Sequence, residues 1–78
     1  NKLSIVNIVG ADLRGADLSK ASLRQADFTG SNLTNANLSG AILRNACFRN
    51  SILSEANLEG ADLSKVFFAG FSEEIFSF

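Results

Sequence analysis

From Val6 to Gly70 the chain is an unbroken run of thirteen five-residue units: VNIVG, ADLRG, ADLSK, ASLRQ, ADFTG, SNLTN, ANLSG, AILRN, ACFRN, SILSE, ANLEG, ADLSK and VFFAG. Each unit opens with a small residue, usually Ala, and places a large apolar residue third. That period rules out the common architectures. On an α-helix, at ~100° per residue, a step of five turns each successive Leu by ~140°, so the apolar side chains scatter around the surface. On a straight strand, an odd step sends successive leucines to opposite faces. Within one unit, however, the first and third residues are two apart and share a face. A bend of ~90° after each unit keeps every such pair inside, and four bends close one coil.

This geometry predicts a second period of twenty. Phe28, Phe48 and Phe68 are the aromatic residues among the thirteen central positions, and they are spaced by twenty. Random placement would put three Phe in one column about one time in forty. Ser31 and Ser51, the Ser residues at first positions, repeat the spacing. The sequence thus predicts an all-β parallel coil of four sides, with three full turns from Val6 to Lys65 and a fourth begun at Val66. Neighbouring coils are expected ~4.8 Å apart.

The A(D/N)LXX pattern of these units, over residues 6–70, resembles the pentapeptide-repeat family. The resemblance implies a right-handed quadrilateral β-helix whose central Leu or Phe and first-position Ala point inward, with the other three positions pointing outward. It also brings two partner expectations. In some members the C-terminal face mediates dimerisation, and some confer quinolone resistance by mimicking DNA and binding a type II topoisomerase.

With 78 residues the chain is one domain near the lower size limit for a self-sufficient core. A coil leaves an open cross-section at each end, so caps are expected at residues 1–5 and 71–78. Leu3, Ile5, Val6 and Ile8 supply apolar density at the start. At the other end, Ser72 is placed to cap a short helix over 72–78, with Glu73 and Glu74 in its first turn. Phe71, Ile75 and Phe78 share one face of that helix. They close the last coil, meet a second copy, or meet a following domain; the sequence leaves these open. The chain does not start with Met, and the expectation is a processed form or a segment of something longer.

Composition narrows the chemistry. There is no His, Pro, Met, Trp or Tyr, and one Cys. A lone Cys47 makes no internal disulfide and is read as a small hydrophobe. No His is present to activate Ser, Thr or Cys, and no pair of carboxylates converges, so the chain is expected to be no enzyme, with no metal and no cofactor. Eight acidic and seven basic residues give a net charge of −1. That balance argues against nucleic acid as a partner, and against the DNA-mimic reading, which needs a long acidic rod. No run approaches the ~20 apolar residues of a membrane span, and no small-molecule substrate is indicated. The compartment is left open, with the cytoplasm as default.

The second position of each unit is usually Asp or Asn, a side chain suited to bonding its own turn backbone. Ile42, Cys47, Ile52 and Phe67 depart from this by placing apolar groups at outward positions. With Ile75, Phe76 and Phe78 of the tail they are the candidate partner contacts, since contiguous exposed apolar surface marks contact sites. A tail folded over Cys47 and Phe67 is the competing explanation. Arg24 and Arg44, twenty apart at fourth positions, form a two-step basic column read as solvated surface, with a phosphate or carboxylate contact as the lesser alternative. The glycines at fifth positions are read as turn residues. The expected function is a structural or protein-interaction module.

Overall fold

The computed structural model describes residues 7–68. Through residue 65 every unit has the same local form: one bridging residue at the second position and a turn over the fourth and fifth. The bridges are parallel and join each second position to the one twenty residues on, from Asn7–Asp27 through to Cys47–Phe67. The chain is a right-handed quadrilateral β-helix.

Three kinds of backbone hydrogen bond join one coil to the next. The third-position N–H donates to a second-position carbonyl above it, as from Leu23 to Ile42 at 2.7 Å. The fifth-position N–H donates to a fourth-position carbonyl, as from Gln25 to Arg44 at 2.9 Å. In return the second-position N–H donates to a first-position carbonyl below, as from Ile42 to Ala21 at 2.9 Å. Buried amides are thereby satisfied by long-range stacking.

The corners follow from one conformation. The first residue of each unit donates its N–H to the third residue of the unit before, as Ala16 does to Leu13 at 3.0 Å. Every fifth position from Gly10 to Lys65 has positive φ. An i→i+3 bond with positive φ at the third turn residue alone is the type II arrangement. The sequence assigned this role to the glycines, and the structure extends it to Lys20, Gln25, Asn35, Asn45, Asn50, Glu55 and Lys65. Space is available: a β-carbon at Gly15 would meet nothing within 4 Å. The demand is on backbone angle, which L-residues meet at some cost. Gly40 differs, because a β-carbon there would come within 3.3 Å of Lys20 Cγ on the coil below.

The four faces are numbered here in chain order. Face 1 holds residues 7–10, 26–30, 46–50 and 66–68; face 2 holds 11–15, 31–35 and 51–55. Face 3 holds 16–20, 36–40 and 56–60; face 4 holds 21–25, 41–45 and 61–65. First and third positions of the middle coils fill the interior, as the repeat predicts. Leu23, Leu33, Leu38, Leu43 and Leu53 are fully buried, as are Phe28 and Phe48. Ile8, Leu13, Leu18, Leu63 and Phe68, at the two ends, pack against that core while remaining partly buried. The Phe column is stacked, with ring centroids 4.7 Å apart for Phe28–Phe48 and 5.4 Å for Phe48–Phe68. Ser31 and Ser51 are buried on face 2, where their hydroxyls donate to the Phe28 and Phe48 carbonyls at 2.7 and 2.8 Å. The expected caps at 1–5 and 71–78, the helix over 72–78 included, lie outside the described residues.

Candidate interaction surface

Apart from Ser22, the outward second positions fall into two chemical groups. In eight units an Asp or Asn side chain accepts a hydrogen bond from the backbone N–H two residues on, at 2.9–3.2 Å: Asn7, Asp12, Asp17, Asp27, Asn32, Asn37, Asn57 and Asp62. This is the role their residue type suggested, a side chain completing its own turn. At Ile42, Cys47, Ile52 and Phe67 the side chain has no oxygen to offer. Phe67 is 45% exposed and Ile52 39%, while Ile42 and Cys47 are half-buried. Phe67 bridges directly to Cys47, as the twenty-residue spacing predicts. Ile75, Phe76 and Phe78 lie outside the described residues.

A second rule governs contacts between coils. Thr29 Oγ1 lies 3.5 Å from Cys47 Sγ, and Arg44 Nη2 lies 2.7 Å from Asp62 Oδ2; both pairs are 18 residues apart. The Arg49 guanidinium carbon sits 5.1 Å from the centre of the Phe67 ring, at the same offset. A fourth-position side chain therefore leans toward the second position of the coil above. This diagonal was not drawn from the sequence, although an i, i+18 search within the repeat finds it.

The four aspartates are held ionised by their local partners. Asp12 is lowered to about 2, chiefly by the Arg14 side chain and then by the Arg14 backbone N–H. Asp62 is also lowered to about 2, by the Ser64 hydroxyl first, the Ser64 N–H next and Arg44 third. Asp17 and Asp27 are lowered by the hydroxyls of Ser19 and Thr29, then by those residues' N–H groups. Each acid is thus engaged in its own turn. Asp12 and Asp62 are also paired with arginine, at 2.8 and 2.7 Å. Among the described residues no group of three or more Cys, Asp or Glu is placed to hold a metal, and no cavity opens. No helix there is long and apolar enough to cross a membrane.

A family model for pentapeptide repeats matches in eight copies, over residues 7–45 and 31–70. The chain belongs to the pentapeptide-repeat family. Among solved structures, this pentapeptide-repeat chain is similar to HetL, a pentapeptide repeat protein involved in heterocyst differentiation regulation from the cyanobacterium Nostoc sp. strain PCC 7120. Identity is 34%, the match covers 91% of this chain and 38% of that one, and the TM-score is 0.52. It also matches QnrB1, a plasmid-mediated fluoroquinolone resistance protein, at 20% identity over 91% of this chain and 37% of that one, with a TM-score of 0.75. The second likeness is one of fold. The chain spans little more than a third of the length of either protein. No curated protein matches it.

Proposed function

We propose that this pentapeptide-repeat chain is a non-enzymatic structural or protein-interaction module whose contact surface is the run of apolar second positions Ile42, Cys47, Ile52 and Phe67. The supporting observation is the break in turn capping. Eight described units carry Asp or Asn at this position, and the three successive units over 41–55 replace it each time, on faces 4, 1 and 2. Ile52 lies directly over Asn32, which caps its turn, so the fold itself gives no reason for an apolar group there. An exposed apolar residue kept where a capping residue fits is the mark of a surface retained for contact.

A DNA-mimic role finds no support in the charge arrangement. The Asp12 and Asp62 carboxylates are matched by Arg14 and Arg44, and the chain carries a net charge of −1. A mimic of phosphate rows needs uncompensated acids.

The test is Ile52→Asn, read by thermal unfolding, together with a photo-reactive side chain placed at position 52 and, as a control, at Asn57 on face 3. The expected result is an unchanged or raised Tm and a discrete crosslinked species from position 52 alone. A clear loss of stability in Ile52→Asn would show that the apolar residue serves the fold, and equal crosslinking from both positions would remove the contact surface.

A further inference from the structure

Arg14 and Arg24 occupy the same place in their units, the fourth, on opposite faces of the first coil, and differ in what they meet. Arg14 holds the Asp12 carboxylate from three directions: its N–H at 3.2 Å, its Nε at 2.9 Å and its Nη2 at 2.8 Å. In the unit of Arg24 the second residue is Ser22, which is too short to span to the guanidinium. No described residue accepts a hydrogen bond from the Arg24 N–H or side chain. The diagonal that gives Arg44 its acid leads from Arg24 to Ile42, eighteen residues on, where Arg44 finds Asp62. Arg24 is exposed. It therefore presents the donor set that grips a carboxylate at Arg14, with an apolar residue at its diagonal position.

We propose that the Arg24 edge of face 4, with Ile42 beside it, docks an acidic segment of a partner protein, one Asp or Glu carboxylate taking at Arg24 the place Asp12 takes at Arg14. This rests on the interaction-module reading and names its partner's chemistry. Two observations favour a protein acid over a phosphate polymer. Ile42 sits in the column between Ser22 and Asp62, so the surface is half apolar. Arg44, next above Arg24 in the same column, is already engaged by Asp62 at 2.7 Å, so a row of phosphates finds no second unengaged guanidinium on this face, whereas one carboxylate needs Arg24 alone. A planar carboxylate bound by guanidinium and backbone N–H together is a charge-assisted, two-pronged contact.

The probe is a capped pentapeptide alternating valine with glutamate and aspartate. Its controls are the same peptide with glutamine and asparagine, and inorganic phosphate. Amide and Nε–H resonances of the ¹⁵N-labelled chain report binding. The expected result is a saturable shift of the Arg24 amide and Nε–H with the acidic peptide alone. Arg24→Gln, and Ser22→Asp, which supplies an internal carboxylate as Asp12 does, are each expected to weaken that binding at least about tenfold. Both are surface changes, and retained spectral dispersion confirms folding. Unmoved Arg24 resonances, an equal response to the amide peptide, a response to phosphate alone, or undiminished binding by Ser22→Asp would each overturn the proposal. Failure here with a stable Ile52→Asn leaves the interaction module standing without this partner class; a destabilised Ile52→Asn removes the module reading itself.

Discussion

Arg44 and Asp62 are separated by 18 residues of chain and by 2.7 Å of space, and they join the second coil to the third across face 4. The contact turns the repeat's stacking into side-chain chemistry. Asp62 at once caps its own turn through Ser64 and draws in the guanidinium from below. Its twenty-residue neighbour Ile42 does neither.

The pH dependence of stability follows from these acids. Asp12 and Asp62 lie at about 2 in the folded chain against an ordinary value of 3.8. As pH falls, the unfolded chain takes up these protons first. Their stabilisation is present in full above roughly pH 4 and is lost as pH falls through about 2. Thermal unfolding between pH 2 and pH 6 is expected to show a Tm that falls on the acid side. The Asp12→Asn, Asp62→Asn double variant is expected to flatten that slope, because both amides still cap their turns.

The stacked rings are the second test. Phe48 lies between Phe28, with planes 2° apart, and Phe68, with planes 14° apart. Phe48→Ala is expected to cost about 3–5 kcal/mol in urea unfolding. Phe48→Leu fits the residue found at most other central positions and loses chiefly the ring contacts, a cost on the order of 1–3 kcal/mol.

The corners give a third test. Gly15, Asn35 and Glu55 form one column on face 2 with φ of 68°, 61° and 56°. Gly15→Asn is expected to cost less than about 1 kcal/mol, since Asn tolerates the left-handed region and the site has room. Gly15→Val is expected to cost about 2 kcal/mol or more, because β-branching adds to the left-handed penalty. Equal midpoints for the two variants would contradict a corner set by backbone angle.

Ser51 provides a fourth. Its buried hydroxyl donates to the Phe48 carbonyl, which also accepts from the Ser51 N–H at 3.2 Å. Ser51→Ala therefore leaves no orphaned acceptor and installs the residue found at most first positions. A loss of no more than about 1 kcal/mol is expected. A larger loss would assign the hydroxyl a structural role that the backbone bond does not cover.

Much of this was legible in the sequence for a plain reason. A five-residue period admits one way to bury every first and third residue, so the repeat alone puts Ala21, Leu23 and Phe28 inside, where they are buried. The period of twenty then fixed which residues stack, including Cys47 under Phe67. The capping by Asp12 or Asn37 was equally local, a side chain meeting an N–H two residues away.

What the sequence left undecided was the lateral lean of side chains from one coil to the next. Arg14, Arg24, Arg44 and Arg49 share one residue type and one repeat position. They end respectively on Asp12, on no described acceptor, on Asp62 and over the Phe67 ring. The backbone period fixes where each side chain starts. Where a long, flexible guanidinium finishes depends on which neighbour the diagonal brings within reach, and that is a property of the assembled coils.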